Sequence, residues 1–393
     1  MAATDEGATS ESSPGVLYIE RNAVLGGTAR ILLLCMRTAQ EMGLRPVLAC
    51  PGEGRLPDEA RAMGIPVEPC NFTAMQRTRN PAKLLGYVAG LRHEGASVTR
   101  ICRKHRISLI HVHGPISAMY AVNAAKALSL PVICHLHEAT PPTLYHRLAW
   151  RYAAPIVTAF VCVSQAVRRL AGEIGLPEDR IRIVYNAVDP SFLADDVKAA
   201  PDIVGPGPHI GVVGLIVPLK GQDVFLSAAV RLVERLPSAH FYIVGSLAHP
   251  DDQPYLDCLR AMAAAEPLAG RVTITGYRSD IPQLMKAWDV VAVPTVWPEA
   301  FGLVAAEAMA LGRRTVVSAA GGLPEIVEDG VTGLVVPPND AEALADAIED
   351  LASRPLDDPI GARAALSIRE RFSPERFAAA IRELYSQCLP GGQ

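Results

Sequence analysis

Short apolar, β-branched runs separated by longer stretches of helical pattern recur along nearly the whole chain, and this rhythm narrows the fold more than any other feature. In the first half the runs are VLYIE (16–20), RPVLAC (45–50), IPVEPC (65–70), SLIHVHG (108–114), PVICHLHE (131–138), FVCVS (160–164) and IRIVYN (181–186). HIGVVG (209–214), HFYIVG (240–245), VTITG (272–276), VVAVPT (290–295), RTVVSA (314–319) and GLVVPP (333–338) follow in the second. Strands that are apolar on both faces are covered on both faces, and strands alternating with helices pair in parallel. The expected fold class is α/β, with two doubly wound, Rossmann-like sheets. A chain of 393 residues, 50% of them hydrophobic, is long enough to build two cores.

Composition marks the divisions. Residues 195–208, DDVKAAPDIVGPGP, hold three prolines and two glycines and read as a linker and hinge. The expected layout is a disordered tail over 1–14, a first domain over 15–194, the linker over 195–208, a second domain over 209–370 and a terminal helix over 371–393. The tail is polar and acidic, unlike a signal peptide or lipidation signal. The longest apolar run, AAPIVTAFVCV (153–163), falls short of the roughly 20 residues needed to span a bilayer. Eight scattered cysteines include no C-x-x-C pair, and Cys134 and Cys162 sit in strand-like runs as small hydrophobes, so the expected compartment is a reducing cytoplasm.

Charge is divided unevenly, +5 over residues 1–195 and −9 over the remainder, which suggests different partners for the two halves. Two basic stretches lie in the first, Arg77, Arg79 and Lys83, then Arg100, Arg103, Lys104 and Arg106. They read as a solvated face or as a surface suited to anionic lipid or a polyprenyl diphosphate, which would place the protein peripherally at the inner face of the membrane. Nucleic acid is not expected, because aromatics are few and not interleaved with the charges.

The stretch TVWPEAFGLVAAEAMALG (295–312) says most about function. Glu299 falls in the loop at a strand's carboxyl end, and Glu307 falls within the helix that follows. Ligands bind at that edge of an open α/β sheet, so Glu299 can face a bound molecule while the N–H groups of Phe301, Gly302 and Leu303 offer donors to an anion. An acidic residue near a helix N-terminus is also favoured by the dipole alone. Here, however, the helix is otherwise nearly all apolar, and a carboxylate on a buried helix needs a partner such as a sugar or ribose diol.

Seven residues separate Glu299 from Glu307, and this pair resembles the Glu-x7-Glu motif of the retaining glycosyltransferases of family 4. The resemblance implies the GT-B fold, two Rossmann-like domains facing across a cleft, and covers nearly the whole chain after the tail. GVVGLIVPLKGQ (211–222) is similar to the family's phosphate-binding loop, in which an Arg and a Lys share the charge of the donor diphosphate. Lys220 and Gly221 match, whereas Leu215 stands where the Arg is expected; Arg278 and Arg313 are the candidate substitutes. GYRSDIPQLM (276–285) resembles the segment whose backbone near Tyr277 and Arg278 pairs with the base, although Asp280 reads as a plain helix cap. AAGGLPEIV (319–327) is similar to a Gly-Gly-x-x-Glu stretch in which Gly321 and Gly322 let the backbone approach the donor beside Glu325.

In the first half Gly26 and Gly27 open a helix. They read equally as a tight turn or, by the resemblance, as a loop beside the diphosphate and acceptor; the G-x-G-x-x-G dinucleotide pattern is absent. His111, His113, His135 and His137 cluster at two strand ends. Alternate residues share a face, so packed and hydrogen-bonded core histidines are expected, and with no carboxylate or cysteine completing a ligand set no metal is expected. By resemblance His137 approaches the donor sugar's hydroxyls.

What the resemblance implies is transfer, with retention, of a sugar from a UDP- or GDP-sugar to a hydroxyl of a glycan, a lipid-linked sugar or a small natural product. Catalysis falls to Glu299, His137 and Lys220, with Glu307 on the ribose. No Asp-x-Asp occurs, so no cofactor or metal is expected at the diphosphate, and closure about the hinge would exclude water. A nucleotide-sugar epimerase of the same fold and a non-catalytic sugar-binding homologue are the alternatives, the latter favoured by Leu215.

Overall fold

Thirteen strands form where the apolar runs stand. The computed structural model describes residues 13–72, 80–139, 143–355 and 357–389; the first twelve residues of the expected tail, and Arg77 and Arg79, lie outside this set. The chain packs as two compact units, one of residues 1–163, 167–185 and 377–393, the other of 164–166 and 186–376.

In the first unit the strands are β1 (Gly15–Ile19), β2 (Arg45–Cys50), β3 (Val67–Pro69), β4 (Ile107–His113), β5 (Val132–Leu136), β6 (Ala159–Cys162) and β7 (Ile181–Ile183). They pair in parallel in the order β3-β2-β1-β4-β5-β6-β7. Leu17 of β1 lies opposite Val47 on one side and Ile110 on the other, and all three are buried, as a central strand covered by helices requires. The terminal helix Pro374–Cys388 buries Phe377, Ala378, Ile381, Leu384 and Tyr385, the spacing of a single apolar stripe. From Phe377 onward it belongs to this unit, where Arg382 also pairs with Glu41 at 2.5 Å.

The second unit holds β8 (His209–Val213), β9 (His240–Val244), β10 (Val272–Gly276), β11 (Val290–Val293), β12 (Arg314–Ser318) and β13 (Leu334–Val336). Its parallel order is β10-β9-β8-β11-β12-β13. Both sheets therefore reverse direction of growth once, between β1 and β4 and between β8 and β11. At such a switch point neighbouring loops part and leave a crevice at the carboxyl edge.

The units divide at Tyr185 and Asn186, and the Pro- and Gly-rich segment 195–208 packs with the second unit. Ala200 N–H donates to the Gln283 carbonyl at 2.9 Å, and Arg278 grips Asp202. Linker composition here gives an irregular but fastened strap.

Candidate active site

At the switch point of the second sheet, two oppositely charged side chains meet. Lys220 ends the short turn after β8, Glu299 lies in the loop after β11, and the lysine Nζ donates a hydrogen bond to the glutamate Oε1 across 79 residues of sequence. Both are partly shielded, with side chains 33% and 20% exposed, so the pair is less screened than a surface contact. The two loops are stitched together behind it. Leu219 O accepts from Thr295 Oγ1 at 2.8 Å and from Val296 N–H at 3.1 Å, and Gln222 Nε2 closes the first loop on Leu215 O at 2.9 Å.

Glu299 is anchored by its main chain as well. It bridges to Gly321, and its carbonyl accepts from Gly322 N–H at 2.8 Å. Gly321 has φ +64°, and a Cβ there would overlap the Glu299 carbonyl oxygen, so only glycine fits. The close approach that this glycine permits is that of the Glu299 backbone. Glu325, expected beside a donor, instead accepts from the N–H groups of Gln165 and Ala166, both at 2.8 Å.

Glu307 lies on the helix Leu303–Ala310, whose Ala305, Ala306, Ala308, Met309 and Ala310 are buried while Glu307 is half-buried. The helix starts after Gly302 at φ +111°, with no side-chain cap and no acidic residue in its first turn. The dipole explanation for Glu299 is thereby displaced, since that carboxylate is taken up by Lys220. Phe301 is buried edge-on against Phe372, with centroids 5.3 Å apart, which fixes the start of the helix.

Both arginines proposed to replace the missing one are engaged elsewhere in this structure. Leu215 is itself about half exposed. Arg278 is pinned between Asp280 at 2.6 Å and Asp202 at 2.7 Å, and its charge holds both carboxyls below their usual range. Asp280, read as a helix cap, makes no side-chain cap and spends its carboxylate on Arg278. Arg313 precedes β12 at the opposite, amino edge of the sheet, largely buried and donating to the carbonyls of Lys286 and Trp288. Tyr277, just beyond β10, is 60% exposed.

The corresponding edge of the first unit carries different chemistry. Gly26 caps the helix Gly27–Glu41 in an extended conformation, and nothing lies within 4 Å of where its Cβ would sit. Neither strain nor packing demands glycine there. Glu20, at the end of β1, was passed over in the sequence; it is 9% exposed, its carboxyl is raised by burial, and its Oε1 accepts from Arg21 and Asn22 N–H. Its only signal was position, the first polar residue after VLYI.

His113 lies directly opposite His135 in the β4–β5 register, and His137 follows β5. Burial pushes all four histidines down, to about 3 for His111 and His137, with neighbouring His137 adding to the effect on the others. Hydrogen bonding, expected throughout, is realised at His111, whose Nδ1 shares a bond with Tyr385 Oη at 2.7 Å. Both ring nitrogens of His113 and His135, and Nε2 of His137, are buried without partners. A cavity lined by His137, Glu138, His146, Trp150 and Gly114 opens beside the cluster; His146 and Trp150 gave no sequence signal.

Sequence profiles described as "Glycosyltransferase Family 4" and "Glycosyl transferases group 1" match residues 25–192 and 195–367. The D-inositol 3-phosphate glycosyltransferase of Segniliparus rotundus is 30% identical over 356 residues, 82% of this chain and 74% of its own. The chain belongs to the family 4 glycosyltransferases. The alpha-D-kanosaminyltransferase of Streptomyces kanamyceticus is 29% identical over 308 residues, 72% of this chain and 75% of its own. Among solved structures, Anabaena HepE in complex with UDP and glucose matches with a TM-score of 0.80 at 24% identity, covering 94% of this chain and 99% of that one. Sucrose-phosphate synthase from Thermosynechococcus elongatus gives 0.77 at 19%, covering 95% and 98%. These likenesses show the GT-B fold, and the glycosyltransferase is built on two parallel-sheet Rossmann-like units. Among the described residues no helix is long and apolar enough to cross a membrane.

Proposed function

We propose that this glycosyltransferase moves a sugar, with retention of configuration, from a UDP- or GDP-sugar to a hydroxyl of a growing glycan, a lipid-linked sugar or a small natural product. The observation that carries the reading is the meeting of Lys220 and Glu299 at the switch point of the second sheet, with Glu307 on the adjoining helix. In the bound state Lys220 exchanges Glu299 for the diphosphate, and the helix beginning at Gly302 adds backbone N–H groups and its dipole. Glu299, released from the lysine, accepts from the sugar hydroxyls, and Glu307 accepts from the ribose. His137, neutral because it is buried, serves as a hydrogen-bonding partner of the sugar and not as a base. No metal on the diphosphate is needed for this division of labour, since fixed cationic and N–H groups stabilise the departing charge. The similarity to a D-inositol 3-phosphate glycosyltransferase supports a small polar acceptor among the options.

A peripheral contact at the inner, cytoplasmic face of the membrane is part of the same reading. Lys83, Leu85 and Val88 are exposed together on the helix Pro81–Lys104, the mixture that anionic lipid favours. Of the second basic stretch, Lys104 is engaged with Glu68 at 2.7 Å.

Calorimetric titration with UDP, GDP, ADP and dTDP, with and without EDTA, tests the central claim. One nucleotide should bind, indifferent to EDTA, and lose about tenfold or more in affinity in Lys220→Ala and Glu307→Ala, the cost of a charge-assisted hydrogen bond. Binding that survives both substitutions, or no binding at all, sinks the assignment.

A further inference from the structure

The four histidines of the first unit are not explained by packing. Core imidazoles normally bond at least one nitrogen, as His111 does through Nδ1 to Tyr385 while its Nε2 stays unpartnered. Three neighbours do not: His113 and His135 leave both ring nitrogens buried and unpartnered, and His137 leaves Nε2. Each offers one nitrogen, and the three atoms lie within 4.8 Å of one another. Their ring centroids are separated by 5.2 Å (His113 to His135), 4.7 Å (His113 to His137) and 4.4 Å (His135 to His137).

We propose that His113, His135 and His137 bind one divalent transition-metal ion of the zinc type, in a site built entirely within the first unit. A tetrahedral zinc ion with bonds of about 2.0–2.1 Å holds its ligand nitrogens roughly 3.4 Å apart, a closure that side-chain rotation supplies. Three imidazoles favour zinc, cobalt, nickel or copper over magnesium or calcium, which take oxygen ligands. Three protein ligands leave a fourth position, and Glu138 and His146 line the cavity beside His137. The neighbouring set Cys35, His111 and His135 is less suited: Tyr385 occupies His111 Nδ1, and burial holds the Cys35 thiol protonated. Coordination through the buried Nε2 of His137 puts its remaining proton on Nδ1, fixing the tautomer of the residue assigned to the sugar hydroxyls. That last consequence rests on the transferase reading; the metal site does not.

The test uses the full chain, purified without a histidine tag, stripped with chelator and titrated with cobalt and then zinc. One equivalent of cobalt should bind with the visible absorption of a tetrahedral nitrogen site, and one equivalent of zinc should displace it. The signal should vanish in His113→Gln and in His137→Gln and persist in His105→Gln and Cys35→Ser, with circular dichroism confirming each fold. UDP titration of the same samples reports the second unit separately, so failure of the metal site and failure of the donor site are distinguishable. No cobalt spectrum in the wild-type chain, its survival in folded His113→Gln, or its loss in Cys35→Ser would each overturn the proposal.

Discussion

The two units share a strand order through their first six strands and share a switch point, yet they place opposite chemistry there. In the second, Lys220 and Glu299 bring full charges together at a half-exposed edge. In the first, neutral imidazoles and the raised carboxyl of Glu20 lie in a drier setting at the edge of β1, β4 and β5. Topology thus fixes where a ligand goes and leaves open what kind. A charged edge suits a diphosphate that must be held and released; a neutral one suits hydroxyls or a metal ion.

Acid should separate the units most sharply. His111, His113, His135 and His137 of the first are depressed in the fold, so below about pH 6.5 the unfolded chain takes up protons that the folded unit refuses. Stability is therefore full above that pH and falls as pH drops towards 3, by about 1.4 kcal/mol per pH unit for each histidine. Followed by hydrogen exchange on the chelator-stripped protein, the first unit should open before the second, where burial lowers His240. Simultaneous opening would remove the distinction.

Gly321→Ala acts on the second unit alone. A left-handed residue whose Cβ overlaps the Glu299 carbonyl should cost about 3 kcal/mol and weaken binding of the nucleotide sugar, more than of UDP, through displacement of Glu299, both readable by thermal melts and calorimetry. Its mirror in the first unit is Tyr385→Phe. That change strips the hydroxyl shared by His111 Nδ1 and Tyr18 and should cost about 1–3 kcal/mol in urea unfolding while leaving UDP affinity intact. Smallest is Arg278→Ala. An ion pair near the surface contributes roughly 0–1 kcal/mol, so stability and UDP affinity should barely move in melts and titrations; a large loss of affinity would return Arg278 to the role Leu215 vacates.

The strands were legible because their signal is local: RPVLAC and VTITG are strands over the very residues read. The same holds for Glu307, which a helical run of alanine and leucine places on its own helix. Partnerships were not legible. Lys220 and Glu299 carry recognisable residue types, but that they pair depends on β8 lying beside β11, a long-range fact. Tyr385 reaches His111 across 274 residues, a separation that no local pattern signals. Asp280 and Arg313 were misread for a related reason. A cap and a free cation are local inferences, and each was overridden by a partner supplied by the fold, Arg278 in one case and the carbonyls of Lys286 and Trp288 in the other.

The ion pair at the second switch point also acts as a sieve. With Glu299 lodged against Lys220, the empty edge is locally near neutrality and exerts little long-range pull on passing anions. An entrant succeeds only by offering the lysine more than one carboxylate does while giving Glu299 hydroxyls in return. Chloride and acetate carry no hydroxyl for Glu299, so on the proposed reading the pair disfavours them before any contact with the base is made.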